Sequence, residues 1–295
     1  MGQQVLRVCS VTGRWRGHWR TYAILAATLT MAVVLLAAGG CSPGPTETRD
    51  DTFTVGDSPA VVVNIENGYI EVNAGVDGEV RIEATLRGSD RIDYEVSQEG
   101  DSITISAEVQ SSWFVWGDIG TDIELTLPSS ADLRLETSNG PVRVYGAEGS
   151  GFVRSSNGEI ELRDIQGDFD VRTSNGAIEV DTMEGISFLR TSNGRLDLQD
   201  INGQIDAETS NGEIRLRGEI AAGGDVRLTT SNGDVWVDLR GTPCVALDAK
   251  TSNGEVNCDL PILATVTKED HLVGTIGDGE SQLYVRTSNG DVTVR

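Results

Sequence analysis

The chain has 295 residues, with 46 acidic and 23 basic side chains that give it a formal net charge of −23. We find no basic patch that could contact phosphates, so the composition excludes a nucleic-acid partner. Beyond the first 40 residues there is one histidine, His271, which excludes a multi-histidine metal site and a histidine-dependent triad. We therefore expect neither a metal nor a cofactor.

Residues 1–40 predict a secretory signal peptide. Four arginines precede an uncharged, apolar stretch, and small residues then lead to Cys41. The sequence LLAAGGC at 35–41 resembles a bacterial lipobox, with Ala38 where leucine is usual. That resemblance implies cleavage before Cys41, acylation of its thiol and a lipid anchor in the membrane. An uncleaved transmembrane anchor is the alternative. Both place the rest of the chain outside the cytoplasmic membrane.

The segment between the leader and the repeats divides into two parts. We predict a flexible linker over residues 41–52 and a solenoid domain over 53–295. Residues 53–135 hold strand-like runs with irregular turns, and Glu66-Asn67-Gly68 looks like a degenerate copy of the later repeat. These features are typical of capping strands that cover an open end of the repeats in 136–295. No break indicates a second domain.

Three aromatic residues lie close together in this capping segment. Trp113, Phe114 and Trp116 fall within four residues, in a chain that is 5% aromatic. They could stack on sugar rings or dip into a lipid surface, or they could cap the core of the solenoid. We take them as candidate ligand contacts and keep both alternatives open.

Eight copies of Ser-Asn-Gly, seven preceded by Thr and one by Ser, dominate the second half of the chain. The intervals are 18, 18, 18, 18, 21, 21 and 36 residues, and the asparagines are Asn139, Asn157, Asn175, Asn193, Asn211, Asn232, Asn253 and Asn289. A fixed period is typical of a repeat architecture, and the last interval equals two units of 18. The unit is too short for a βαβ motif, which needs about 30 residues.

Residues around each Ser-Asn-Gly alternate between apolar and polar, which predicts strands with one inward face. Apolar residues stand three and five positions after the asparagine, as at Ile178 and Val180, and four positions before it, as at Val171. We predict an all-β fold, a parallel β-helix-like solenoid of 18-residue coils with two short strands per coil. Ser-Asn-Gly would bend through positive φ, and its asparagines would form a ladder between coils.

Trp236 interrupts an outward column that is otherwise polar. Exposed aromatic residues on a flat sheet can form a binding platform, although a single one needs no explanation. We take Trp236 as a further candidate ligand contact.

Two cysteines remain beyond the leader and Cys41. Cys258 falls in an inward column, and Cys244 lies near a bend one coil earlier. An oxidising compartment permits a disulfide between them, and two buried thiols are the alternative. Without a partner histidine they do not form a metal site.

Taken together, the chain resembles a bacterial "putative adhesin" family of unknown function, related to the head-GIN adhesin domains. The residues that carry the resemblance are Leu125-Thr126-Leu127-Pro128, LRLETSNG at 133–140, the later TSNG coils and the ending from Gly277 to Val292. The match covers residues 53–295. It implies a β-solenoid of the bacterial envelope for which no catalytic residues are usually assigned.

We therefore expect a non-catalytic, lipid-anchored envelope protein that binds or scaffolds an envelope glycan or protein. One alternative is a structural module associated with envelope stress or signalling. A second alternative is a polysaccharide-active enzyme that uses Glu213, Asp234 and Glu255, which occupy one outward column. Calcium bridging between such carboxylates is a further alternative, although no loop matches a calcium motif.

Overall fold

The computed structural model of the protein describes residues 44–110 and 119–295. In those ranges the chain forms strands and a single three-residue 3-10 turn, Ser89–Arg91. Neither range contains a helix that is long and apolar enough to cross a membrane.

Nine described strands precede the second copy of Ser-Asn-Gly. They are β1 (Thr46–Thr54), β2 (Ala60–Asn67), β3 (Ile70–Ala74), β4 (Glu79–Arg87), β5 (Ile92–Glu99), β6 (Ser102–Val109), β7 (Gly120–Leu127), β8 (Asp132–Asn139) and β9 (Val142–Tyr145). The strand-like runs predicted between residues 53 and 127 correspond to these elements.

The remaining strands carry the later coils and the C-terminal end. They are β10 (Glu148–Ser155), β11 (Ile160–Arg172), β12 (Ile178–Thr191), β13 (Leu196–Thr209), β14 (Ile214–Gly218), β15 (Asp225–Thr230), β16 (Val235–Leu239), β17 (Val245–Lys250), β18 (Val256–Cys258), β19 (Leu263–Lys268), β20 (His271–Ile276), β21 (Ser281–Arg286) and β22 (Val292–Val294).

The strands form two faces of a solenoid, which confirms the predicted fold. The front sheet runs β5, β6, β2, β8, β10, the second halves of β11, β12 and β13, then β15, β21, β17, β20 and β19. The back sheet runs β1, β4, β7, β3, β9, the first halves of β11, β12 and β13, then β14, β16, β22 and β18. Because β11, β12 and β13 pass through a bend, each belongs to both sheets.

One coil near each end is stacked out of chain order. The coil of β2 and β3 lies between the pair β6 and β7 and the pair β8 and β9. The coil of β21 and β22, which follows all the others in sequence, lies between the pair β15 and β16 and the pair β17 and β18. Each end of the array is therefore closed by chain from an earlier or later part of the sequence.

Antiparallel strands terminate the parallel stack. At the N-terminal end β5 pairs with β6, and β1 pairs with β4. At the C-terminal end β20 pairs with β17 and β19. The outermost front strand, β19, leaves Leu263 79% exposed. A change of strand direction with uneven edges gives a further parallel coil no matching template.

The core is a set of inward columns that repeat from coil to coil. Val180 is 2% exposed and Leu198 is 0% exposed, and the two are partners in neighbouring strands. The period-two alternation puts every second residue of each strand inside, so the two sheets share one continuous apolar layer. Burial of these columns supplies the hydrophobic stabilisation of the fold.

The buried threonine of each Thr-Ser-Asn-Gly explains the conservation of the motif from one coil to the next. Thr173 Oγ1 donates to the carbonyl of Gly158 in the preceding coil at 3.0 Å. The same oxygen accepts the backbone N–H of Gly176 at 3.2 Å. One hydroxyl thus satisfies polar backbone groups of two coils at the bend, where a buried unpaired group would be costly.

The predicted asparagine ladder is present and continuous. Asn175 Nδ2 donates to Asn157 Oδ1 at 2.7 Å, and Asn193 Nδ2 donates to Asn175 Oδ1 at 2.8 Å. In spatial order the ladder contains Asn67, Asn139, Asn157, Asn175, Asn193, Asn211, Asn232, Asn289 and Asn253. The last asparagine in sequence is therefore internal, and Asn253 ends the ladder. These side chains are largely exposed, so the ladder is a surface feature.

The expectation of positive φ at Ser-Asn-Gly is wrong for the central coils. Gly176 lies outside the left-handed region, and a Cβ built on it would be 1.8 Å from the carbonyl oxygen of Gly158. Glycine is required there because backbones of adjacent coils approach closely. Left-handed φ occurs instead at the opposite bend, at Asp164 (φ 53), Thr182 (φ 62) and Asp200 (φ 50).

The predicted linker over residues 41–52 is also corrected by the structure. From Thr46 onward this segment is the strand β1, which pairs along its whole length with β4. The prediction failed because TETRDDTFT is highly charged and alternates only weakly, whereas an edge strand needs little apolar content.

Candidate functional site

The leader and the aromatic cluster lie outside the described residues. Cys41, Trp113, Phe114 and Trp116 all fall in this category. Lipidation of Cys41 and ligand contact by the three aromatic residues therefore remain predictions.

The disulfide between Cys244 and Cys258 is not formed, and both residues are half-buried free thiols. Each sulfur contacts a carbonyl two residues away: Cys244 Sγ lies 3.6 Å from the oxygen of Thr242, and Cys258 Sγ lies 3.7 Å from that of Leu260. Burial raises the pKa of the Cys258 thiol, which favours the protonated, unreactive form. The alternative of two separate thiols is the observed one, although neither is fully buried.

Trp236 lies on the outer surface of the back sheet, as the sequence predicted. It occupies the second position of β16 and is 39% exposed. Its neighbours on the adjacent strands are Arg215 and Thr293. Because Val235 and Val237 point into the core, strand alternation directs the intervening indole outward.

A shallow groove of about 230 Å³ opens beside the indole ring. It combines an exposed aromatic side chain with guanidinium groups and one carboxylate, and its lining residues are Arg215, Leu216, Arg217, Trp236, Val237, Asp238 and Arg295. We call this the Trp236 groove.

The arginines of the Trp236 groove differ in how they are neutralised. Arg215 forms a bidentate pair with Glu213, at 2.9 and 3.0 Å. Arg295 lies 3.5 Å from Asp238. Arg217 forms no ion pair or hydrogen bond with the part of the chain that the structure describes. A free guanidinium beside an exposed ring can accept a carboxylate, or stack with the ring on a sugar.

The carboxylates considered for catalysis do not form an unbroken column. Asp291 lies between Asp234 and Glu255, because the last coil is inserted there. Asp234 Oδ1 accepts the backbone N–H of Asp291 at 2.8 Å, and Asp291 Oδ1 accepts that of Glu255 at 2.9 Å. Glu213 is paired with Arg215. These carboxylates stabilise the bend between coils, as the Asp–backbone bonds replace side-chain caps.

One acidic pair on the back sheet has a perturbed titration. Partial burial, followed by the charge and hydrogen bond of Glu179, raises the pKa of Glu159. Arg195 Nη2 lies 2.7 Å from Glu179 Oε1 and holds that carboxylate ionised. Among residues 44–110 and 119–295, no three His, Cys, Asp or Glu side chains are grouped so as to hold a metal ion.

The front sheet brings together basic residues that we treated as separate polar positions. Arg154, Arg172 and Arg190 are direct neighbours on β10, β11 and β12. Each stands three residues before the asparagine of its repeat, so the repeat period itself was the signal for their alignment. The expectation that the chain has no basic patch is wrong for this surface.

The most basic end of the same sheet surrounds His271, which we expected in a solvated turn. It begins β20, next to Lys250 and Lys268, and its Nε2 lies 3.1 Å from Asp248 Oδ1. Burial alone would raise the pKa of Asp248, but hydrogen bonds from Arg286 and His271 outweigh it and lower that pKa. A carboxylate among four bases is thus held ionised.

These features define an all-β solenoid protein with two flat outer faces, each carrying an open groove. The chain belongs to the Toastrack DUF4097 family, whose model matches residues 60–295. No curated protein matches the chain.

Several solved structures share a remote likeness with the chain. A "putative adhesin" from Bacteroides fragilis is 12% identical, with a TM-score of 0.45, and the match covers 85% of this chain and 97% of that one. A "putative adhesin" from Parabacteroides distasonis is 11% identical, with a TM-score of 0.37 and coverages of 85% and 98%. A "putative cell adhesion protein" from Clostridium sporogenes is 13% identical, with a TM-score of 0.29 and coverages of 84% and 98%. We draw no functional conclusion from likenesses this low.

Proposed function

We propose that the protein is a non-catalytic binding module of the bacterial envelope, held outside the cytoplasmic membrane by an acylated Cys41. It engages an envelope glycan by stacking a sugar ring on Trp236. The basic leader, the apolar stretch and the lipobox-like LLAAGGC support the location and the anchor.

The observation that carries the binding proposal is the exposed indole of Trp236 on a flat sheet. A large aromatic ring that is 39% exposed leaves apolar area in water unless a ligand covers it. Arg217 lies beside the ring without a counter-ion in the described chain, so it can bond to a hydroxyl or carboxylate of the sugar. Sugar sites combine an apolar platform with a few polar groups in this way.

The engaged state of the carboxylates supports a role without catalysis. Asp234 and Asp291 accept backbone N–H groups of adjacent coils, and Glu213 pairs with Arg215. A glycosidase needs two carboxyl groups free to face one bond of the substrate.

Binding of full-length protein, purified in detergent micelles, to an array of neutral and acidic envelope glycans tests the proposal. Trp236→Ala should abolish binding to the recognised glycan, and Trp236→Phe should retain part of it, because phenylalanine keeps a ring. Leu263→Ala is the matched control, since it also truncates an exposed apolar residue but lies on β19. Equal binding by the Trp236→Ala variant and the wild type would exclude the Trp236 groove.

We also propose Trp113, Phe114 and Trp116 as a second contact for a glycan or a lipid surface. Their density in a chain poor in aromatics is the support. Trp113→Ala should reduce retention on glycans or on lipid vesicles without a change in the thermal midpoint. A fall in the midpoint alone would favour a capping role.

A further inference from the structure

A row of basic residues runs along the front sheet parallel to the solenoid axis. Neighbouring strands place one residue each in this row; in spatial order the row is Glu136, Arg154, Arg172, Arg190, Glu208, Thr229, Arg286, Lys250, His271 and Lys268. Both lysines of the chain lie in it. Successive side chains are separated by the inter-strand distance of about 4.8 Å. The out-of-order coil joins Arg286 to the bases around His271.

The arginine part of this row forms one side of an open groove of about 340 Å³. Exposed serines of successive Ser-Asn-Gly turns form the other side, at Ser174, Ser192 and Ser210. The hydroxyls of Ser174 and Ser192 make no hydrogen bond within the described chain. Guanidinium N–H groups and free hydroxyls face each other across the groove, and both are donors for an oxyanion.

The neighbouring acids neutralise this groove only in part. Arg172 pairs with Asp170, and Arg190 lies 3.5 Å from Glu208 and 3.7 Å from Asp206. Both guanidinium side chains remain more than 40% exposed, and Arg154 has no ion pair among the described residues. The arginines can therefore exchange water for an anionic ligand while their own carboxylates hold them in position.

We propose that this groove, the Arg-Ser groove, binds an anionic polysaccharide that lies along the solenoid axis. The periodic cations fit a linear polymer with repeated carboxylate, sulfate or phosphate groups. Duplex DNA carries one charge per about 1.7 Å, far denser than one cation per strand at about 4.8 Å. The net charge of −23 adds long-range repulsion against such a dense polyanion. A sparsely charged glycan suffers less from it.

Retention of the full-length protein on immobilised polygalacturonate tests the proposal, because that polymer has a carboxylate on every sugar. Its methyl-esterified form is the matched neutral ligand, and duplex DNA is the dense polyanion. The variant is Arg154→Glu with Arg190→Glu. The control is Arg163→Glu with Arg195→Glu, the same charge change on the back sheet, away from the Trp236 groove.

We expect the Arg154→Glu, Arg190→Glu variant to bind polygalacturonate about tenfold more weakly, and the control to stay within about twofold of wild type. The esterified polymer should not be retained, and binding should weaken as salt rises. Equal losses in the two variants, equal retention of the esterified polymer, or tighter binding to DNA through the same arginines would overturn the proposal. If charge reversal lowers the thermal midpoint, Arg154→Gln with Arg190→Gln replaces it with the same expectations. Trp236→Ala should leave this binding unchanged, which separates it from the Trp236 groove.

Discussion

Gly176→Ala should destabilise the central coils because of close backbone stacking. The added Cβ would meet backbone atoms of the preceding coil, at 1.8 Å from the oxygen and 2.4 Å from the carbon of Gly158. Real Cβ contacts essentially never fall under 3.0 Å, so the two coils must separate locally. That movement lengthens the Thr173–Gly158 hydrogen bond of 3.0 Å and the Asn175–Asn157 bond of 2.7 Å. At about 1 kcal/mol per bond, plus strain, the cost is about 2–4 kcal/mol.

Denaturant midpoints measure this cost, with Gly223→Ala as the matched control. Gly223 has a left-handed φ of 77, but a Cβ there meets nothing within 4 Å. Its substitution should therefore cost only the conformational penalty of about 1–2 kcal/mol. If Gly223→Ala costs as much as Gly176→Ala, backbone conformation and not coil stacking explains the glycines of the motif.

Three further predictions follow from the stacking. Asn289→Ala should cost about twice as much as Asn253→Ala in denaturant midpoint, because the former removes ladder bonds of 2.8 and 2.9 Å and the latter only one; a larger cost at Asn253 would contradict the inserted coil. Asp248→Asn should destabilise the protein at neutral pH. Because the pKa of Asp248 is lowered in the fold, this contribution is present above the unfolded value of 3.8 and vanishes as pH falls through the folded value, so the two melting curves should converge in acid; a constant gap would refute the ionic role. Val180→Asp should lower stability by about 4 kcal/mol or more, whereas Glu179→Lys should stay within about 0.5 kcal/mol, as thermal melts can check; equal effects would reverse the assigned faces.

The repeat and its inward columns were predictable because a two-residue period leaves little choice of face. Ile178 and Val180 are buried, as their place in the repeat requires. The ladder was predictable as well, since identical asparagines at one position of stacked coils must meet.

The order of the coils was not predictable from the repeats. The 36-residue gap before Asn289 suggested two further units, but an antiparallel hairpin, β19–β20, occupies it. Every coil presents the same columns, so Val292 can pair with Val235 as well as with Val256, and does both. Local sequence cannot distinguish such equivalent stacking partners.

The basic row was missed for a different reason. We judged the partner from the net charge, which averages over the whole surface. Stacking concentrates one repeat position into a line, so Arg154, Arg172 and Arg190 become neighbours although they are 18 residues apart. The Trp236 groove was partly predictable, since the exposed indole follows from strand alternation. Its arginine partners depend on which coils are adjacent.

The central claim is that the protein binds envelope polysaccharide and does not cleave it. Incubating full-length protein with purified envelope polysaccharide, and assaying both the bound polymer and the reducing ends released, tests this directly. The account predicts saturable binding that falls in the Trp236→Ala variant, with no increase in reducing ends over a protein-free control. Release of reducing ends that depends on Glu159 or Glu179 would contradict it and would establish the enzyme alternative.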